Sequence, residues 1–250
     1  MTIWDCFIFA EEHDCLKIAM HELKELNVRH VVVQANKTFT NKDKDMTYFL
    51  QGREDQDKYV YVHDMPDGDN PWERESWQRN AIMRGLDEAK DEDWVIIRDA
   101  DEIPSAAAIK QYNAEMGITA LTMNKYGYYL NCEEGHQSWR IAKILPFKIL
   151  KQVLPDQVRN MGCKYEIENA GWHFSYLGGV DAMLNKFNSF SHQEPETQKL
   201  NNREILQHKY DTGESLWGDD KWTFVKVDET FPKYVQQHKF GLLKHLIKEI

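Results

Sequence analysis

Three carboxylates in four positions, Asp99, Asp101 and Glu102, follow at once on the apolar run Trp94-Val95-Ile96-Ile97-Arg98. Carboxylates this close repel one another, and a divalent cation or a set of aimed donors relieves the repulsion. The apolar run reads as a strand buried on both faces, so the acids stand at its tip. Asp99-x-Asp101 there predicts a metal site for Mn²⁺ or Mg²⁺, ions that take carboxylate oxygens and leave positions open for phosphate. A calcium EF-hand is disfavoured because Ile103-Pro104 stands where that loop needs a ligand and a glycine.

Other chemistry-bearing residues are scattered. His173, beside Trp172, and His192, in Ser189-Phe190-Ser191-His192-Gln193-Glu194, are candidate imidazole ligands or phosphate contacts. Arg79 and Lys37 are candidate phosphate contacts, with ordinary ion pairing as the competing use. Tyr126, Tyr128, Tyr129, Trp139, Trp172 and Tyr176 can serve either as a stacking platform for sugar rings or as core filling. Glu194 is the favoured general base because it follows His192 closely, with Asp181, Glu134 and Asp220 as the other candidates.

The elements that must position these groups come in βαβ order. Residues 3–9 read as a first strand, residues 14–26 as a helix capped by Asp14, and residues 28–35 as a second buried strand. A polar loop over residues 36–45 leaves the carboxyl end of that strand, the edge where open α/β sheets bind ligands. A third strand is predicted over residues 59–63. Asn70-Pro71-Trp72-Glu73 opens a helix that should run to about Ala89 with Trp77, Ala81, Gly85 and Leu86 turned to the core. The strand ending in Asp99 is the fourth. A short helix is expected over residues 105–112, strands over 118–123, 127–130 and 170–177, and an apolar segment over 143–150. Residues 155–169 show little regular pattern. A helix to about Ser191, a further helix after residue 200, a short strand over 223–227 and a basic amphipathic terminal helix complete the chain. No internal repeat is visible.

Composition agrees with one α/β unit: 250 residues, 42% hydrophobic and 29% charged, with a net charge of -10. No basic tract of the kind that grips nucleic acid or anionic lipid is present. No leader pattern and no membrane-length apolar run occurs, and the four cysteines form no C-x-x-C pair, so reduced thiols and a cytoplasmic location are expected. Nothing in the pattern specifies an oligomeric state.

Asp99-Ala100-Asp101-Glu102-Ile103-Pro104, Arg74-Glu75-Ser76-Trp77-Gln78-Arg79-Asn80, Asn36-Lys37-Thr38-Phe39-Thr40 and Ala170-Gly171-Trp172-His173 together resemble glycosyltransferase family 17. The resemblance spans nearly the whole chain, from His13 to Phe231-Pro232-Lys233-Tyr234. It implies a GT-A type nucleotide-diphosphosugar transferase fold, a Rossmann-like mixed sheet flanked by helices. It also implies a single domain, with residues 1–104 as the nucleotide-sugar half and residues 105–250 as the acceptor half with the terminal helix. The implied reaction is metal-dependent, inverting transfer from UDP-N-acetylglucosamine to a glycan hydroxyl. Asp101 becomes the direct metal ligand and Asp99 lies nearer the ribose. Asn36, Thr38, Arg79, Asn80 and Trp172 join the donor pocket, and His173 or His192 closes the metal or diphosphate site. Gln34 and Arg98 depart from the acidic or small residues the resemblance leads one to expect, both near the nucleotide. A sugar-phosphate nucleotidyltransferase and a non-catalytic glycan-binding protein are the rival readings. The first normally carries a glycine-rich basic loop after the first strand, whereas Phe9-Ala10-Glu11-Glu12-His13 is acidic.

Overall fold

The computed structural model describes residues 1–46, 57–218 and 221–250. The chain runs β1 (Ile3–Ile8), α1 (His13–Leu23), β2 (Val28–Ala35), β3 (Lys58–Val62), α2 (Pro71–Asn80) and β4 (Trp94–Asp99). It continues through β5 (Glu102–Pro104), α3 (Ala106–Ile109), β6 (Thr119–Leu121), β7 (Met123–Gly127), β8 (Cys132–Trp139), β9 (Lys143–Pro146), α4 (Phe147–Leu150) and α5 (Pro155–Asn160). Last come β10 (Tyr165–Ile167), β11 (Gly171–Ser175), α6 (Gly179–Ser189), α7 (Pro195–Gln198), α8 (Arg203–Thr212), β12 (Thr223–Phe224) and α9 (Lys233–His238).

Two mixed sheets result, a seven-stranded one in the order β10-β6-β9-β4-β1-β2-β3 and a five-stranded one in the order β12-β8-β7-β11-β5. The expected α/β class, a Rossmann-like mixed sheet flanked by helices, is borne out. Strands β1, β2, β3 and β4 are mutually parallel; the near-continuous buried runs of β1, β2 and β4 fit strands covered on both faces, while β3 at the sheet edge is half-buried. From β1 the chain moves one way to β2 and the other way to β4, so the carboxyl ends of β1 and β4 flank a topological switch point. Ligands of open α/β sheets bind in that crevice. Ile8 and Asp99 are register partners there.

Asp99 closes β4 in the first sheet, and three residues later Glu102 opens β5 in the second. The acidic tip is thus the hinge between the sheets. Strand β11 fixes it from the other side: His173 pairs with Glu102, Trp172 with Ile103 and Gly171 with Pro104, and the Phe174 amide donates to the Asp101 carbonyl at 2.8 Å. Glycine is required at 171, where φ is +147° and a Cβ would stand 2.0 Å from the Ile103 carbonyl oxygen. The Gly-Trp-His sequence is therefore backbone engineering as much as chemistry.

Several expected elements differ. The second helix stops at Asn80 and continues as a 3₁₀ turn over Ala81–Gly85, instead of reaching Ala89. The tighter turn brings Gly85 against the sheet, where a Cβ would meet Val31 Cγ1 at 2.5 Å. Trp77 is 43% exposed rather than in the core, because α2 buries a polar face of Arg74, Gln78 and Arg79. Gln78 donates to the Val33 carbonyl and Arg74 to those of Phe39 and Gly68. Residues 155–169 hold α5 and β10, and the expected terminal helix shrinks to α9 and a 3₁₀ turn over Lys244–Leu246. All four cysteines are free, and Cys6, Cys15 and Cys132 are buried. Among the described residues no helix is long and apolar enough to cross a membrane.

Candidate active site at the acidic strand tip

Every acid at the tip is met by a cation from a distant element. Asp99 turns one oxygen to Arg79 Nη2 at 3.2 Å and the other to Arg159 Nη2. Its amide donates to Glu102 Oε2 at 2.8 Å. Glu102 is fully buried and takes a two-pronged hydrogen bond from Arg159 at 2.8 and 2.9 Å, with the Trp139 indole N–H on its Oε1. Arg79, 3% exposed, also holds Glu75 and Asp156, each at 2.6 Å. Ser191 donates to Glu75, and Asn80 accepts from the Asp156 amide at 3.0 Å, so α2, α5 and the loop after α6 are tied to one guanidinium.

Asp101 faces different partners. Lys186 Nζ on α6 lies 3.2 Å from its Oδ2 and His173 Nε2 lies 3.6 Å from its Oδ1. Trp139 stacks on His173 at 4.4 Å between centroids, and the His173 Nδ1 atom is buried with no hydrogen-bond partner among the described residues. Within this contact network five carboxylates, Glu75, Asp99, Asp101, Glu102 and Asp156, meet three fixed cations, Arg79, Arg159 and Lys186. Among the described residues of this network, carboxylates exceed fixed cations by two.

The electrostatics follow from this pairing. Burial works to raise the Asp101 carboxyl, but Lys186 and His173 hold it well below the usual range. Burial likewise opposes Glu102, which Arg159, helped by His173 and Trp139, keeps down at about 2. Burial, with Glu102 and Glu75 nearby, pushes Asp99 up despite its two arginines. Asp5, in the core below, is also lowered because Arg98 and His30 outweigh its burial. A lowered folded pKa contributes stability that is present above the ordinary carboxyl range and lost as pH falls through it. Asp5, Glu75, Asp101 and Glu102 are lowered and Asp99 is raised, so the lowered groups decide the sign. Tm should therefore be flat within about 2 °C above about pH 5.5 and fall by on the order of 5 °C between about pH 4.5 and 3. Calorimetric melts across that range check it; a Tm that rises on acidification contradicts the assignment.

The structure brings Asp99, Asp101, Arg79 and His173 together and spreads the other expected residues. Asn80 is committed to Asp156 and Ser76. Thr38 is bonded within its own loop, to Thr40 and the Lys42 amide. Asn36 stands past the end of β2 with a buried Oδ1 that has no partner among the described residues, as does the fully buried Gln34 Oε1. Lys37 pairs with Asp67. His192, half exposed, packs edge-on to Trp72 at 4.5 Å and lies 3.4 Å from Glu194. Among the described residues no three His, Cys, Asp or Glu side chains converge on one point, so His192 does not join Asp101 and His173. Asp181 is exposed and paired with Arg203, Glu134 is paired with Lys125 at 2.6 Å, and Asp220 lies outside the described residues.

Arg98, which the resemblance puts near the nucleotide, is fully buried and bonded to Asp5. The aromatic group is mostly core, since Tyr126, Tyr128 and Tyr129 are buried and Trp172 donates to the Thr230 carbonyl inside an apolar cluster. Of that group, Trp139 touches the acidic tip directly, donating to Glu102 and stacking on His173, and Tyr176 lies against Lys186. The half-exposed indoles are Trp72, Trp77 and Trp217 instead. Arg159 and Lys186 carry no sequence motif that marks them as site residues. Their only local signal is a cation in a segment with no regular apolar period or in the last turn of a helix.

The class is a mixed α/β fold whose central parallel strand leads into an acidic pair at the switch point. The chain belongs to glycosyltransferase family 17, whose model matches residues 1–248. No curated protein matches the chain.

Proposed function

We propose that this glycosyltransferase moves N-acetylglucosamine from UDP-N-acetylglucosamine to a glycan hydroxyl, with inversion and with Mn²⁺ or Mg²⁺. The observation that supports a cation is the pair Asp101 and His173, 3.6 Å apart at the switch point in a network whose carboxylates, among the described residues, exceed its fixed cations by two. Ions of this kind are commonly held by one or two protein donors, with waters and substrate phosphates filling the rest. Asp101 and His173 would hold it; Asp99, turned to its arginines, would not. Bound there, the cation would offset charge developing on the departing diphosphate.

The chain's own residues do the rest. Arg79 and Arg159 hold the tip in one shape, because each grips carboxylates from two or more elements. Trp139 fixes the His173 ring by stacking on it. Asn36, with an unpartnered acceptor at the edge of β2, is the donor-pocket residue best placed to take a hydrogen bond from the nucleotide. Glu194 is the proposed base. It is a half-exposed carboxylate that hydrogen bonding holds below its ordinary range against the opposing effect of burial, and it stands beside the open Trp72 and His192 rings against which a sugar can pack.

A thermal-shift panel of nucleotide sugars with and without Mn²⁺ tests the reading, since a ligand that binds only the folded state raises Tm. UDP-N-acetylglucosamine should stabilise the wild type more when Mn²⁺ is present than without it. Asp101→Asn should lose about tenfold or more of that affinity. A stronger response to a guanine or thymidine sugar refutes the uridine donor. Slow release of UDP from UDP-sugar separates a transferase from a glycan-binding protein, which would release none.

A further inference from the structure

Of the three fixed cations at the acidic tip, two are locked and one is loose. Arg79 is 3% exposed and bonded to three carboxylates; Arg159 is 7% exposed and bonded to two. Among the described residues Lys186 has one carboxylate partner, Asp101 at 3.2 Å, a weak contact to Ser175 Oγ at 3.5 Å, and the Tyr176 ring 4.8 Å away. A third of its side chain is exposed. A lysine is a point charge on a flexible stem, so it can change partner without breaking a two-pronged bond.

Asp101 is also the acid best placed for a divalent cation, and an ammonium and a metal ion against one carboxylate repel each other. We propose that Lys186 is the diphosphate-binding cation of this site and that it makes metal and nucleotide binding interdependent. Without nucleotide, Lys186 occupies Asp101 and keeps the metal ion out. The phosphates of an arriving nucleoside diphosphate draw the ammonium off, which frees Asp101 for the metal ion. This deepens the donor reading above and rests on it. Ser175 and Tyr176, on the strand end and turn before α6, cradle the ammonium in its resting position.

The two ligands should respond to removal of the ammonium in opposite directions. In Lys186→Met, Mn²⁺ alone, followed by the paramagnetic signal of the unbound ion, should bind about fivefold more tightly than in the wild type. UDP measured calorimetrically in saturating Mn²⁺ should bind about tenfold or more weakly, the loss of one charge-assisted hydrogen bond. Lys186→Arg, which keeps the charge, should stay within about threefold of the wild type for UDP. Lys186→Gln gives the same comparison if the Met variant does not fold. Equal UDP affinity in the wild type and in Lys186→Met overturns the role of Lys186 while leaving the donor reading intact. Weaker binding of Mn²⁺ alone in that variant overturns the exclusion. A wild type that takes no UDP in Mn²⁺ overturns the donor reading itself, and this proposal with it.

Discussion

Arg98→Met should destabilise the protein by about 3–5 kcal/mol, the usual cost of removing one partner from a buried ion pair. Arg98 and Asp5 are both fully buried, joined by two parallel hydrogen bonds at 2.6 and 2.7 Å, and the guanidinium lies 4.0 Å over the Phe7 ring. Without Arg98 the Asp5 carboxylate keeps, among the described residues, the His30 ring 2.9 Å away as its side-chain partner. Arg98 has a second task. Its Nη1 donates to the carbonyls of Asp99 at 3.0 Å and Ala100 at 3.3 Å, so the same side chain that neutralises Asp5 shapes the turn carrying the acidic pair. The two tasks separate in a double variant. Asp5→Asn with Arg98→Met removes both charges and should recover more than half of the lost stability in urea unfolding. UDP affinity should stay depressed, because the two carbonyls still lack their donor. A single variant that loses less than about 1 kcal/mol would mean water reaches Asp5, against its complete burial.

The parallel half of the fold was legible because its signals are local. Val31-Val32-Val33 names a buried strand without help from elsewhere, and the observed β2 has the expected bounds of residues 28–35. Asn70 with Pro71 marks the start of α2, and Asn70 does accept from the Trp72 amide. The end of that helix was not legible, because it is set by contact between Gly85 and Val31, a residue of another strand. The acidic tip was found for a similar local reason: three carboxylates in four positions are conspicuous in any sequence.

Its partners are not local. Arg79, Arg159 and Lys186 lie 20, 60 and 85 residues from the acids they meet, and a cation's intended partner leaves no period in the chain. A sequence reading that knows only the acids predicts a metal to neutralise them. The folded chain supplies three of the needed positive charges itself and gives Asp99 and Asp101 different surroundings. Aromatic residues fail for another reason. Tyr126, sandwiched between Phe174 and Phe231, and Trp217, half exposed, look alike in composition, and only packing tells core from platform.

Arg159→Met tests how far that self-neutralisation holds the site together. Arg159 comes from α5, a six-residue helix in a stretch with no regular apolar pattern, yet it bridges Asp99 and Glu102 and so joins the two sheets at their hinge. Its loss leaves Asp99 with Arg79, and leaves Glu102 with the Trp139 indole and the Asp99 amide, neither of which carries charge. At neutral pH the cost should be about 3–5 kcal/mol by urea unfolding. The distinguishing feature is its pH dependence. Arg159 is the main influence holding Glu102 at about 2 against its burial, so in the variant that carboxyl should take a proton in the ordinary range near 4.5 or above. A protonated Glu102 no longer needs a counter-charge, and the gap between variant and wild type should narrow as pH falls below about 5. Loss of packing alone would give a gap that does not change with pH. Arg159→Lys should recover only part of the stability, because one ammonium cannot reproduce the two-pronged bond to Glu102 while also reaching Asp99. Full recovery by lysine would reduce Arg159 to a simple counter-ion and remove its role as the clamp between the sheets.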